Sequence, residues 1–194
     1  MANARTDFGL IVVGTKIYAI SSMSGKAIGM VEEYDTTTDT WSNKASMPVA
    51  TNTTVFATVN GKIYVIGGAT ISNGAYYRSN KVYMYDPLTD SWTQKTYMPT
   101  ARDLLSTVVV DGKIYAIGGH TDSSILSTVE MYNPETDIWV SKTSIKTPRF
   151  GLQSIEMDGI IYVVGGCTNS TFKKYLENIW LSKFCTWITG GECY

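Results

Sequence analysis

One heptapeptide is written four times in this chain: residues 16–22 read KIYAISS, residues 62–68 KIYVIGG, residues 113–119 KIYAIGG and residues 160–166 IIYVVGG. The four tyrosines, Tyr18, Tyr64, Tyr115 and Tyr162, stand 46, 51 and 47 residues apart. A period of this size belongs to stacked units or propeller blades, because one unit of that length buries its apolar faces only against its neighbours.

The register extends past the heptapeptide. Tyr34-Asp35, Tyr85-Asp86 and Tyr132-Asn133 each precede a tryptophan by seven residues, at Trp41, Trp92 and Trp139, and Met47-Pro48 and Met98-Pro99 follow the first two. In the tail, ENIWLSKFCTWI at residues 177–188 can be laid under VEMYNPETDIWV at residues 129–140. That alignment puts Trp180 at the tyrosine position and Trp187 at the tryptophan position. It makes the tail a fourth, degenerate unit, whose turn lacks Pro and Asp.

Each unit reads as four short strands. LLSTVVVD is a β-branched run, DGK a tight turn and KIYAIGG a second strand, which together form a hairpin. After a variable loop, STVEMY is a third strand, NPETD supplies turn chemistry, and IWVSK is a fourth. The second strand carries almost no polar alternation, as expected for a strand packed on both faces. Its glycine pair ends it where neighbouring backbone or a large aromatic comes close.

The segment DGKIYAIGGHTDSSILSTVEMYNPETDIW resembles the Kelch repeat, with the glycine doublet, the later tyrosine and the tryptophan at that family's spacing. The match is strong over residues 52–166 and weak at both ends. It implies an all-β, Kelch-type β-propeller of about four four-stranded antiparallel blades, in part incomplete. As a single domain over residues 1–194, its blades would fall near 4–47, 48–98, 99–145 and 146–194. The structural repeat positions are Gly67, Gly68, Gly118, Gly119, Gly165, Gly166, Tyr34, Tyr85, Tyr132, Trp41, Trp92 and Trp139. Resembling propellers usually close with six or seven blades. Three assemblies therefore fit: a four-bladed ring, a piece of a longer propeller, and half of an oligomer.

Thirteen residues before the heptapeptide tyrosines stand Arg5, Thr51, Arg102 and Arg149. In proteins that this one resembles, the linkers there open on the partner-holding face. Three guanidiniums around one mouth would suit a carboxylate or an acidic peptide. The alternative is that each arginine closes its own blade by bonding carbonyls of the neighbouring linker. The loops after the glycine pairs should reach the same face. They carry Tyr76, Tyr77 and Arg78, of types enriched at binding hot spots, and His120. At Ser21-Ser22, where the other copies have Gly-Gly, the two readings are an end blade with relaxed packing and a pair of ligand-facing hydroxyls.

Glu156, six residues before Tyr162 and in the innermost strand, is the one candidate for a proton-moving carboxylate of the kind a Kelch-fold sialic-acid epimerase would need. The competing reading is a hydrated channel residue. His120 is the only histidine, so no multi-histidine metal site can be built, and no metal or cofactor is expected.

Charge narrows the partner class. Lys and Arg total 16 against 17 Asp and Glu, with no long block of one sign, which argues against nucleic acid and anionic membrane. No apolar run is long enough to span a bilayer and no export signal is evident, so the expected setting is cytoplasmic. Cys167, Cys185 and Cys193 match no zinc spacing and are expected as thiols. The sequence thus points to a non-catalytic module binding a protein or peptide, with self-association as a means of completing the propeller. A sugar-acid epimerase and an inert fragment are the alternatives.

Overall fold

The computed structural model describes residues 8–23, 27–72, 75–168, 171–172 and 176–180. Four antiparallel sheets follow one another along the chain. The first holds β1 (Gly9–Val13), β2 (Lys16–Met23), β3 (Ala27–Asp35) and β4 (Thr40–Lys44). The second holds β5 (Val55–Val59) and β6 (Lys62–Ile66), then, beyond a hairpin of β7 (Ala69–Ser72) and β8 (Ala75–Arg78), β9 (Val82–Asp86) and β10 (Ser91–Lys95). The third holds β11 (Ser106–Val110), β12 (Lys113–Ile117), β13 (Val129–Asn133) and β14 (Ile138–Lys142). The fourth holds β15 (Phe150–Met157), β16 (Ile160–Thr168), β17 (Thr171–Phe172) and β18 (Leu176–Trp180). Among the described residues there is no helix.

Two-residue turns at Asn60-Gly61, Asp111-Gly112 and Asp158-Gly159, both residues at positive φ, close the inner hairpins. This is the primed turn that matches strand twist. The inner strands β1, β5, β11 and β15 pack side by side in that order.

In the fourth sheet, Ile161 is opposite Ile179 and Ile160 opposite Trp180. Ile114, the equivalent of Ile161 in the third sheet, is opposite Tyr132. Ile179 therefore takes the tyrosine register, and Trp180 stands one residue beyond it. The sequence alignment of the tail was off by one because matching aromatics outweighed the strand register. Trp187 lies outside the described residues.

Side chains alternate between two buried faces. Call the face toward the preceding sheet leading and the face toward the following sheet trailing. Leading residues Ile63, Val65 and Tyr85 share a core with trailing residues Tyr18, Ile20 and Val31. Ile114, Ala116 and Tyr132 do the same with Tyr64, Ile66 and Val82. Ile161 and Val163 join Tyr115, Ile117 and Val129. Edge-on tyrosine pairs, Tyr18 with Tyr85 and Tyr64 with Tyr132, each with centroids 5.9 Å apart, sit in the first two of these cores.

The glycine pairs seat the linker of the next sheet. A Cβ on Gly67 would lie 2.7 Å from the Arg102 carbonyl oxygen, and one on Gly118 would lie 2.6 Å from that of Arg149. The following glycine donates its N–H to the same carbonyl, Gly68 to Arg102 at 3.0 Å and Gly119 to Arg149 at 2.9 Å. In the first sheet Ser21 takes the first glycine's place at a φ of 63°. Its hydroxyl donates to the corresponding carbonyl, that of Thr51. Ser21 is thus a packing residue whose hydroxyl binds the linker carbonyl against which the first glycine of the other copies packs. The side chain of Ser22 is outside the described set.

The tryptophans complete a second interlock. Trp92 Nε1–H donates to Ala45 O at 2.8 Å, while Ala45 N–H donates to Asp90 Oδ1 at 2.9 Å. Trp139 and Asp137 hold Thr96 in the same way, at 3.0 Å each. Tyr85 and Tyr132 donate to those same carboxylates, at 2.6 and 2.5 Å. The second and third sheets thus each grip both backbone groups of one residue, Ala45 or Thr96, just past the outer strand of the sheet before.

Candidate binding face

The end of the molecule at which the inner strands begin gathers two kinds of backbone. Asp103 and His120 exchange N–H···O bonds of 3.1 and 3.0 Å, and Asn52 and Ala69 exchange two of 2.9 Å. Each pair ties the start of an inner strand to the loop after a glycine pair, so the loops do share the linkers' face.

Arg102 and Arg149, expected at a mouth on this face, are not there. Both are fully buried within the third and fourth sheets. Arg102 donates to Gly118 O at 3.1 Å, Thr128 O at 3.2 Å, Ala116 O at 3.2 Å and Glu130 Oε2 at 2.8 Å. Its guanidinium closes its own blade, using that blade's carbonyls rather than the neighbouring linker's. Burial lowers its pKa to about 10, with the Glu130 charge opposing the shift, so it stays protonated at neutral pH. Arg149 Nη1 donates to Gly165 O at 3.1 Å, the same bond one unit on. Arg5 lies outside the described residues.

A signal for this role was present in the sequence. By strand register the residues equivalent to Glu130 are Glu32, Tyr83 and Glu177. An acid accompanies each of Arg5, Arg102 and Arg149, and where Thr51 replaces Arg, Tyr83 replaces the acid. Such covariation inside one chain marks a buried pair, since neither charge is tolerated there alone.

The structure does bring together Tyr76, Tyr77, Arg78 and His120. Strand β8 carries Tyr76 and Tyr77, each about half exposed. Arg78, next along, donates to Asp122 Oδ1 at 2.8 Å and lies 3.1 Å from His120 Nδ1 and 3.5 Å from Asp103 Oδ1. Because Arg is a donor only, Nδ1 is the acceptor in this contact. The His120 ring also packs against Phe150, with centroids 5.6 Å apart. Arg78 therefore staples the tyrosine hairpin to the third sheet, with its charge already matched by Asp103 and Asp122.

A cavity of about 700 Å³ opens along the inner strands, lined among others by Ser21, Asn52, Thr53, Phe56, Ser106 and Gln153, and its Asn52 is bonded to Ala69 at the base of the β7–β8 hairpin. No lining residue is charged. Asn52 and Thr53 align with Asp103-Leu104 and Phe150-Gly151, so residue type is not repeated there and the repeat gave no signal for a cavity lining.

Glu156 does not face this cavity. Its Oε1 accepts the N–H of Gly159 at 2.7 Å, so it caps the turn that closes its own hairpin. Cys167 is a buried free thiol, and Cys185 and Cys193 lie outside the described residues. Among the described residues, no three His, Cys, Asp or Glu side chains gather as a metal site, and no helix is long and apolar enough to cross a membrane.

Known proteins share this architecture. The family model described as the KLHDC2/KLHL20/DRC7 Kelch-repeats domain matches residues 10–188. Kelch-like protein terF of Aspergillus terreus is 37% identical over 124 residues, 59% of this chain and 27% of that protein. Beta-scruin of Limulus polyphemus is 32% identical over 124 residues, 61% of this chain and 14% of that protein. The matched region is thus about a quarter or less of either relative's length. Among solved structures, that titled "Structure of YjhT" superposes with a TM-score of 0.74 at 18% identity, covering 85% of this chain and 59% of that one. With the repeat, the four-stranded sheets and the family model in agreement, the chain belongs to the Kelch-repeat family and folds as a Kelch-type β-propeller.

Proposed function

We infer that this chain is a non-catalytic module that holds a protein or peptide segment on the loop face. The observation that carries this reading is the β7–β8 hairpin, where two neighbouring tyrosines stand half exposed on a strand anchored by Arg78, and whose base is bonded through Ala69 to Asn52 of a neutral cavity. Large aromatics held in place before binding lose little entropy on association. The cavity's hydroxyls and amides favour an uncharged polar stretch of the partner over an acidic one, because the nearby guanidinium is already paired.

The sugar-acid alternative loses the residues it relied on. Arg102 and Arg149 are buried among carbonyls and a carboxylate, and Glu156 is engaged by a turn N–H.

Peptide display against the immobilised chain tests the proposal. Selected peptides should bind at least about tenfold more weakly to the Tyr76→Ala/Tyr77→Ala variant, and equally well to Leu88→Ala, altered at an exposed turn outside this cluster. Binding that survives the double tyrosine change, or a selection that enriches nothing, would sink it.

A further inference from the structure

The chain builds an apolar sheet-to-sheet junction three times, and among the described residues the first and fourth sheets each leave one face of such a junction uncovered. On the leading face of the first sheet, Leu10 and Val12 are 61% and 58% exposed. Ile17 there is only partly covered, whereas its equivalents Ile63, Ile114 and Ile161 are fully buried. On the trailing face of the fourth sheet, Ile155 and Met157 are 63% and 56% exposed. Their equivalents Ala57, Val59 and Val110 are buried. Val164 is likewise exposed where Ile20, Ile66 and Ile117 are buried.

The polar interlocks are open on the same two faces. Tyr34 donates to Asp39 at 2.6 Å and stacks on Trp41 at 5.1 Å, reproducing the grip of the other sheets. Among the described residues, no peptide unit occupies it. At the other end, no described residue lies within 4 Å of a Cβ built on Gly165, whereas one on Gly67 or Gly118 meets the carbonyl of the next linker.

We propose that the leading face of the first sheet receives the trailing face of the fourth sheet of a second copy of this chain, forming a head-to-tail junction of the kind the chain already makes internally. A second copy carries both complementary apolar faces, Leu10 and Val12 on one and Ile155, Met157 and Val164 on the other, with the side-chain alternation of the internal junctions. The junction is heterologous: residues of one face meet residues of a different face, so copies either close on themselves or add in series.

Light scattering on chromatographed protein over a wide concentration range tests this. The intact chain should rise with concentration from 21.4 kDa to multiples of that mass. Val12→Asp and Ile155→Asp should each stay at 21.4 kDa, because each retains one good face and no partner for it. An equimolar mixture of the two should form a dimer of twice that mass and nothing larger. Both sites are exposed, so circular dichroism should show each variant folded, and Leu88→Asp should associate like the parent. An intact chain that stays monomeric at every concentration overturns the proposal. So does a single variant that still associates, or a mixture that fails to pair.

Discussion

The Nη2 of Arg102 lies 2.8 Å from Oε2 of Glu130, with both side chains out of solvent inside the third sheet. A charge pair so placed gains from mutual attraction, from three carbonyls that accept further guanidinium bonds and from the Met98 sulfur that accepts the Nε–H. Loss of either member leaves the other charge desolvated and unmatched.

Glu130→Gln should therefore lower unfolding free energy by about 3–5 kcal/mol, read as a shift in urea midpoint at unchanged slope. Replacing both members with apolar residues of similar volume should cost less than the single change. Peptide binding on the loop face should be the same for any variant that remains folded.

Two glycines at equal backbone strain separate packing from conformation. Gly118 and Gly165 have φ of 61° and 68°, yet only Gly118 faces a neighbour's carbonyl. Alanine at either site meets the left-handed penalty of about 1–2 kcal/mol. Gly118→Ala should cost about 1–3 kcal/mol beyond that, and thermal melts of the two variants side by side measure the difference.

The grip on the preceding sheet makes a parallel contrast among tryptophans. Trp139→Phe removes the bond to Thr96 and strands a carbonyl, at about 1 kcal/mol. In dilute solution, Trp41→Phe should cost less, since its indole N–H has no such acceptor. Denaturant titration below the association range reads both.

Stability should depend on pH at both extremes. Asp90 is held below the ordinary aspartate value near 3.8, first by the Tyr85 hydroxyl and then by the Ala45 N–H. Its contribution is complete above that value and is lost as pH falls through the depressed one. Tyr18, Tyr85 and Tyr132 are pushed well above the usual phenol value of 10, first by burial and then by bonds to Glu33, Asp90 and Asp137. Their contribution is complete below pH 10 and declines as pH rises above it. Urea titrations across pH should show a plateau between these limits, and Asp90→Asn should reduce the acid slope.

The hairpin turns, the four-strand unit and the propeller were legible because they rest on local chemistry and a period. Asn-Gly and Asp-Gly pairs set primed turns, β-branched runs set strands, and the recurrence of Tyr18, Tyr64, Tyr115 and Tyr162 sets the repeat. The Tyr76-Tyr77-Arg78 run was visible as composition alone. Whether an arginine at a repeated position faces solvent or its own blade is a different kind of question, because it depends on where strand register places a carboxylate some 28 residues away. Only the tertiary structure brought Glu130 under Arg102, turned Glu156 onto Gly159, and left the outer faces at Leu10 and Ile155 uncovered. Repetition in a sequence determines what each sheet can pack against. The number of neighbours it actually has is decided by the curvature of the assembled sheets, a sum of small inter-sheet rotations that no single residue encodes.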